Sequence, residues 1–218
     1  AFLLDKENRF PEESIPKLAE LGLMGIAYPE QYGGVGADAI SEAIAVEEIT
    51  AACAGTGSIL TAHYLGIDGL FLGGSEELKQ KYLVPGCTGE HLFAFGLTEP
   101  SGGTDVSAMK TTARLDDDEY VINGSKVFIT NGAYADTIVV YAKTDTTAGN
   151  RGISAFVVEK GTPGLDYGAG DDKMGIRGAR THEIIFDNCR IPKENIIGQE
   201  GDGFKLAMQV VDRGRIGI

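Results

Sequence analysis

Two short segments of the chain carry residue types that could do chemistry, and the first of them is a glycine-rich loop. The segment 95–105 (Phe-Gly-Leu-Thr-Glu-Pro-Ser-Gly-Gly-Thr-Asp) follows an apolar run and then turns through small residues. Backbone N–H groups in such a turn are open to a ligand, and the hydroxyls of Ser101 and Thr104 lie among them. The pattern can serve as a loop that receives a pyrophosphate, although composition alone favours a plain glycine-rich turn.

The second segment is 128–132 (Phe-Ile-Thr-Asn-Gly), where a predicted strand delivers an aromatic ring and a hydroxyl to its own end.

Other standard motifs are missing. The Gly-Thr-Gly at 55–57 lacks the third glycine and the preceding strand of a dinucleotide-binding fingerprint. The three histidines are isolated, none at metal-ligand spacing from another His or Cys, so we predict structural roles for them and no metal site.

Charge and composition exclude several classes of partner. The 19 Lys and Arg against 32 Asp and Glu give a formal net charge of −13. A field of that sign repels nucleic acid and anionic lipid, and an anionic thioester would need a local cluster of donors. No apolar run approaches the roughly 20 residues that cross a bilayer, so no membrane span is predicted. Three widely spaced cysteines without a C-x-x-C motif indicate free, buried thiols in a reduced compartment.

The elements that must position these segments fall into three regions, of which residues 1–90 are predicted to be helical. Ile15, Leu18 and Leu21 recur at helical spacing, and Gly22 suits a C-terminal cap. Two further helices are predicted, one after Ser41 and one over residues 58–72. A short helix begins at Ser75, a good N-cap, and is expected to end before Pro85.

Residues 91–198 are predicted to form a β-rich domain. Residues 114–122 indicate a hairpin around a solvated Asp116–Asp118 turn, and Asn123-Gly124 predicts a second hairpin turn leading into strand 126–129. Further strands are expected at 137–142, 153–159 and 182–186, which favours a β-sandwich or barrel. Residues 199–218 then begin a new helix near Gly203. The predicted fold is therefore α+β and multi-domain: a helical N-terminal domain, a β-domain and the start of a C-terminal helical bundle.

Seven blocks of sequence, in order and across essentially the whole chain, resemble signatures of the acyl-CoA dehydrogenase family. The resemblance is closest to the short-chain (butyryl-CoA type) members. Two of the blocks are the segments 95–105 and 128–132 described above. The others are Met24-Gly25-Ile26 through Tyr32-Gly33-Gly34, 173–177 (Lys-Met-Gly-Ile-Arg), 186–192 (Phe-Asp-Asn-Cys-Arg-Ile-Pro), 201–204 (Gly-Asp-Gly-Phe) and 212–217 (Asp-Arg-Gly-Arg-Ile-Gly).

The resemblance implies FAD as cofactor, lying between the β-domain and the C-terminal helices. It implies flavin contacts from Phe95, Leu97, Thr98, Gly103, Thr104, Phe128, Ile129 and Thr130. Thr98 would lie near the pyrimidine ring, Thr104 near the pyrophosphate and Thr130 near flavin N5. Phe128 stands where some relatives carry tryptophan, so it keeps a ring but lacks an N–H donor. The same resemblance implies that Thr104, Asp212 and Arg215 contact the CoA substrate.

The implied reaction is α,β-dehydrogenation of a short-chain acyl-CoA to the trans-2-enoyl-CoA, with electrons passed to an electron-transfer flavoprotein. Some relatives carry the glutamate base at the position of Gly214, which has no side chain. We therefore expect the base beyond Ile218, no catalytic residue in this chain, and an inactive, truncated piece of a homotetrameric enzyme. It would be cytoplasmic in a bacterium and in the mitochondrial matrix in a eukaryote.

Three other functions stay open on the sequence. An enoyl-CoA reductase of the same fold would run the chemistry in reverse with a dedicated electron donor. An oxidase or flavin monooxygenase would pass electrons to oxygen. A non-catalytic CoA-binding or assembly module would use the same two domains without a base.

Overall fold

The computed structural model describes all 218 residues, and the chain is helical up to Thr88. The long helix α4 is the centre of this region, and nearly all of its residues from Gly55 to Leu70 are shielded from solvent. No helix is both long and apolar enough to cross a membrane. The helices of this region are α1 (Phe2–Glu7), α2 (Ile15–Glu20), α3 (Ala39–Ala52), α4 (Ala54–Gly73), α5 (Glu76–Leu78) and α6 (Val84–Thr88).

Local chemistry explains where the helices begin, and it corrects one predicted boundary. Asp38 caps α3 by accepting a hydrogen bond from the Ser41 N–H at 2.9 Å, and Ser75 caps α5 in the same way from Leu78 at 3.3 Å. The predicted end before Pro85 is wrong. A π-helical turn (Lys79–Leu83) leads directly into α6, so Pro85 lies in a first turn, where its missing N–H is not needed.

The rest of the chain is a β-rich domain followed by one helix, which confirms the predicted order of regions. The sheet has the strand order β6-β7-β3-β2-β4-β5-β8, and β1 pairs in parallel with β4. Most of the other pairings are antiparallel. The elements are β1 (Phe93–Gly96), β2 (Thr112–Asp116), β3 (Glu119–Thr130), β4 (Thr137–Lys143), β5 (Ile153–Glu159), β6 (Leu165–Gly170), β7 (Thr181–Pro192), β8 (Ile196–Ile197) and α7 (Gly203–Gly214).

The predicted hairpin turn at Asn123-Gly124 is wrong. Both residues lie inside the continuous strand β3, and the turn of the β2–β3 hairpin is at Asp117, whose φ is 56°. Gly124 instead marks a bulge: its φ is 141°, and the pairing of β3 with β7 shifts register between Ile122 and Gly124. Its missing side chain also leaves room for Thr111, which lies opposite it immediately before the start of β2.

The helices and the sheet share one continuous core because α4 lies very close to strands β1 and β4. Gly66 allows this approach, since a Cβ there would be 2.7 Å from the Cβ of Phe93. Gly69 faces Val139 of β4 in the same way. Fully buried Ile59 and Ile67 of α4 belong to the same apolar cluster as Phe93. Of the three free cysteines, Cys87 and Cys189 are buried as predicted, whereas Cys53 is half-buried.

His63 connects three elements at the centre of this core. Its Nδ1 accepts a hydrogen bond from the Phe93 N–H, and its Nε2 lies 3.1 Å from the Gly86 carbonyl oxygen, so Nε2 carries the proton. The ring is fully buried, and this burial lowers the pKa of His63 from 6.5 to about 4. The neutral imidazole is therefore a structural link between α4, α6 and β1.

We predict that His63→Leu destabilises the protein by about 3 kcal/mol at pH 7, because two buried backbone groups lose their partner. The folded state binds the His63 proton less tightly than the unfolded state. The contribution of neutral His63 to the free energy of unfolding is therefore complete above pH 6.5. It is lost progressively towards pH 4, by about 1.4 kcal/mol per unit of difference between the unfolded and folded pKa. Urea unfolding of both proteins between pH 7 and pH 4.5 measures this, and the difference should narrow on acidification. His91→Leu, at a half-buried position, is the control; a pH-independent difference for His63→Leu would contradict the assignment.

Candidate functional site

The glycine-rich loop leaves β1 and exposes unused backbone donors. Glu99 and Gly102 exchange N–H···O=C bonds of 3.2 and 3.1 Å, which closes a tight turn. The N–H groups of Ser101, Gly103 and Thr104, which follow each other around that turn, donate to no acceptor within the protein. These residues are exposed, so the loop presents three N–H donors to solvent, as an anion-binding turn requires.

Strand β3 contributes a strained bulge. Phe128 has a φ of 60°, and the pairing of β3 with β7 shifts register between Lys126 and Ile129. A bulky residue is rarely held in the left-handed region, and such strain collects at functional sites. The Phe128 ring is 69% exposed, although it is a large apolar group. The bulge therefore presents an aromatic face to solvent at the cost of local strain.

The two segments that the sequence singled out lie side by side. The Val127 N–H donates to the Thr98 carbonyl oxygen at 2.9 Å, which joins the loop to the strand one residue before Phe128. On the loop side, the Phe95 ring packs edge-on against Tyr141, with centroids 5.3 Å apart. Leu97, Thr98 and Thr130 are partly exposed, so their side chains remain available to a ligand.

Ile129 differs from the other residues of this set. Its side chain is 3% exposed and belongs to the apolar core of the β-domain. Any ligand contact from Ile129 must therefore come from its main chain. The next turn of the strand is fixed by Asn131, which has a φ of 67° and whose Nδ2 donates to the carbonyls of Ile59 and Phe93, both at 3.0 Å.

Asp212 lies in helix α7, and Arg215 is the C-cap residue that follows it. Both side chains are exposed and line a shallow surface pocket together with Phe204 and Met208. No hydrogen bond or ion pair joins them to Thr104. The hydrogen bond between Val127 and Thr98 thus joins the two segments that hold the predicted flavin residues, whereas Asp212 and Arg215 share a pocket that Thr104 does not line.

An ion pair between the partly exposed Arg213 and the buried Asp68 joins α7 to α4. Arg213 Nε lies 2.8 Å from Asp68 Oδ1, which also accepts a 2.8 Å hydrogen bond from the Tyr28 hydroxyl. The guanidinium covers the Tyr28 and Phe71 rings at 5.4 and 5.7 Å. Burial raises the pKa of Asp68 to about 7, and the Arg213 charge opposes that rise. This cluster fixes the helix that carries Asp212 and Arg215.

An open cavity of about 460 Å³ lies between α3, α4 and the residues that follow α7. Its walls include Val46, Gly57, Thr61, Ile216 and Ile218. Gly57 keeps α3 and α4 close, since a Cβ there would clash with the Thr50 side chain. No group of three or more His, Cys, Asp or Glu side chains is placed to hold a metal ion.

Comparison with known protein families identifies the family of this chain. Residues 3–90 match the model of the acyl-CoA dehydrogenase N-terminal domain, and residues 94–189 match that of the acyl-CoA dehydrogenase middle domain. The chain belongs to the acyl-CoA dehydrogenase family. Members of this family are FAD-binding flavoproteins.

Several similar proteins extend this assignment. The short-chain specific acyl-CoA dehydrogenase of Clostridium acetobutylicum is 51% identical over 99% of this chain and 57% of its own length. The acryloyl-CoA reductase (NADH) of Anaerotignum propionicum is 45% identical over 99% of this chain and 55% of its own length. The chain thus spans a little over half the length of these curated relatives.

Solved structures agree with this similarity. Butyryl-CoA dehydrogenase from Megasphaera elsdenii has a TM-score of 0.95 at 46% identity, covering 98% of this chain and 57% of that one. A chain in the structure of the electron transferring flavoprotein of Acidaminococcus fermentans has a TM-score of 0.96 at 52% identity. The match covers 98% of this chain and 56% of that one.

Sequence reasoning missed three features of this chain. They are the ion pair between Lys126 and Glu99, the ion pair between Asp68 and Arg213, and the cavity beside α3. A lysine in an otherwise alternating strand and an aspartate in an apolar helix were the available signals, because charged residues are rarely buried without a partner. Neither signal identifies the partner.

We predict that the usual stability order of alanine and glycine variants is inverted at position 128 of the flavin-free protein. In the interior of a regular strand, a glycine variant of a protein is less stable than the alanine variant by about 1 kcal/mol. In the left-handed conformation of Phe128, Phe128→Gly should instead be more stable than Phe128→Ala, by about 1 kcal/mol, because glycine alone adopts it without strain. Urea unfolding of the two apoproteins measures the sign. An alanine variant that is the more stable of the two would show that the bulge is not strained.

Proposed function

We propose that this protein is a flavin-dependent dehydrogenase of short-chain acyl-CoA thioesters, which forms the trans-2-enoyl-CoA and passes electrons to an electron-transfer flavoprotein. One observation carries the proposal. A loop with three free N–H donors is hydrogen-bonded directly to a strained strand that presents an aromatic ring. The similarity to short-chain and butyryl-CoA dehydrogenases and to a chain in an electron transferring flavoprotein structure supports the substrate class and the partner.

The residues present fit FAD. The N–H groups of Ser101, Gly103 and Thr104 suit the pyrophosphate, which N–H donors can bind without a cation. Phe128 would pack against the ring system, and Thr130, at the end of the same strand, would place its hydroxyl near flavin N5. Phe95, Leu97 and Thr98 would line the loop side, and Ile129 would contribute main-chain atoms. FAD supplies the hydride acceptor when it is bound.

Substrate binding needs a local cation, because the net charge of −13 opposes an anionic thioester. Arg215 is an exposed cation without an ion-pair partner, and we assign it, Asp212 and the Thr104 hydroxyl to the CoA moiety.

The proton from the α-carbon requires a base that these residues do not supply. Gly214 occupies the position where some family members carry a glutamate, and a Cβ there would clash with the Leu65 side chain of α4. We therefore assign the base to a glutamate beyond Ile218 and expect the 218-residue chain alone to be inactive. We expect the whole enzyme to be a homotetramer, in the cytoplasm of a bacterium or the mitochondrial matrix of a eukaryote.

The test is an anaerobic titration of the full-length protein with butyryl-CoA while the visible spectrum is recorded. We expect the oxidised-flavin band to bleach, and the 218-residue chain to give no bleaching under the same conditions. A bound flavin that stays oxidised would refute the substrate class. A full-length protein that binds no flavin would refute the function and favour a non-catalytic CoA-binding module.

A second candidate is the reverse reaction, reduction of a 2-enoyl-CoA, which the 45% identity to an acryloyl-CoA reductase favours. Steady-state assays with an electron-transfer flavoprotein distinguish the two directions. Oxidation of NADH that depends on crotonyl-CoA indicates the reductase, whereas reduction of the electron-transfer flavoprotein by butyryl-CoA alone indicates the dehydrogenase. Rapid reoxidation of the reduced flavin by air would point to an oxidase or monooxygenase instead.

We predict that Arg215→Gln weakens CoA binding by about tenfold, because a charge-assisted hydrogen bond contributes about 1.5 kcal/mol or more. Titration calorimetry of CoA at low and moderate salt measures this, and the variant should also show a smaller salt dependence. Arg114→Gln is the matched control, since Arg114 is an exposed arginine of the β2–β3 hairpin. Equal CoA affinity in the Arg215 variant and wild type would remove Arg215 from the substrate site.

A further inference from the structure

Lys126 and Glu99 form a buried ion pair between strand β3 and the glycine-rich loop. Lys126 Nζ lies 2.7 Å from Glu99 Oε1, and the two side chains are 0% and 3% exposed. Lys126 Nζ also donates to the Leu97 carbonyl at 3.2 Å. The second Glu99 oxygen accepts the Lys110 N–H at 2.6 Å, and the Thr111 N–H donates to Oε1 at 3.1 Å. The Glu99 carboxylate is therefore fully coordinated by hydrogen-bond donors.

Both members of the pair are charged at neutral pH. Burial lowers the pKa of Lys126 to about 8, with Glu99 opposing the change, so the ammonium form still predominates at pH 7. Burial acts to raise the pKa of Glu99, but the Lys126 charge and the Lys110 N–H hold it below its ordinary value. The contact is a true ion pair, not a neutral hydrogen bond.

The place of the pair in the fold argues for a role beyond stability. Replacing a buried ion pair by apolar groups of similar size is often neutral or stabilising, so stability alone gives little reason to retain it. Lys126 lies immediately before the Val127 N–H that bonds to Thr98, and two residues before the strained Phe128. Glu99 lies between Thr98 and Ser101. Both side-chain hydrogen bonds of Lys126 therefore connect β3 to the loop.

We propose that the Lys126–Glu99 pair is a positioning device, which fixes the separation between the 95–105 loop and the Phe128 bulge and thereby sets the geometry of the flavin site. The inference rests on the proposed function, since it concerns how the chain holds FAD. The two side chains are 0% and 3% exposed, so we expect them to act on FAD through Leu97, Thr98 and Phe128 and not by direct contact.

The experiment uses the full-length protein, three variants and one control. The variants are Lys126→Met, Glu99→Gln and the double variant Lys126→Met/Glu99→Gln. Lys110→Met is the control, because it removes one positive charge from an exposed side chain next to the same loop and leaves the pair intact. For each protein we would measure the Tm of the apoprotein, the Kd for FAD, and the visible circular dichroism of the flavin at saturating FAD.

Lys126→Met should lower the apoprotein Tm, because the Glu99 carboxylate stays buried without its cation. The double variant should recover the Tm, because no unpaired charge remains. It should still bind FAD about tenfold more weakly and give an altered flavin dichroism, because the hydrogen bonds of Lys126 are gone. Lys110→Met should match the wild type in all three measurements.

Three outcomes would overturn the inference, and they are distinguishable. If the wild type binds FAD and the double variant has the same Kd and the same dichroism, the pair is only structural and the proposed function stands. If the wild type itself binds no FAD, the proposed function fails and this inference fails with it. Loss of FAD affinity in Lys110→Met equal to that in the double variant would assign the effect to net charge and also overturn positioning.

Discussion

The course of strand β3 between Lys126 and Asn131 is the constraint on which the candidate site depends. Within this short stretch two non-glycine residues, Phe128 and Asn131, have φ angles of 60° and 67°. Such a conformation persists only where the surroundings over-determine it. Here buried polar anchors stand at both ends, the Lys126 ammonium held by the loop and the Asn131 amide held by the carbonyls of Ile59 and Phe93. The strain is thus supported by α4, β1 and the loop together.

The charge of the chain explains why the site is built from backbone donors. With a net charge of −13, a cluster of exposed lysines for a pyrophosphate would run against the composition of the whole surface. Three N–H groups in a turn supply fixed partial positive charge without a titratable side chain. Lys126 is the one lysine whose side chain bonds to the loop, and its charge is buried and neutralised by Glu99. It therefore helps to position the loop and adds little positive potential to it.

The sequence predicts features that depend on local patterns and fails where long-range contacts decide. Helical periodicity, capping residues and β-rich runs identify the helical region, most strands and α7, because each signal lies within one element. Asn123-Gly124 has the strongest local preference for a turn, yet pairing with β7 along both sides of it keeps the strand continuous. Pro85 does not end the helix, because the π-helical turn before it leads directly into α6 and Pro85 lies in the first turn of α6.

The site residues divide in the same way. The loop and the Phe128 segment are visible in the sequence because each is a contiguous block. The pairs Lys126–Glu99 and Asp68–Arg213 join residues on different elements, and no local pattern connects them. The cavity depends on how α3, α4 and α7 pack, which the apolar composition of α4 does not specify, since almost every face of that helix is buried.

Helix α7 shows how packing limits the chemistry that this part of the chain can perform. The Asp68–Arg213 pair and its aromatic cover hold α7 against α4, and the approach is close enough that Leu65 fills the space next to Gly214. A side chain at position 214 would therefore require the Leu65 side chain to move. Glycine at this position fits the close approach of α7 to α4, which the Asp68–Arg213 pair holds in place.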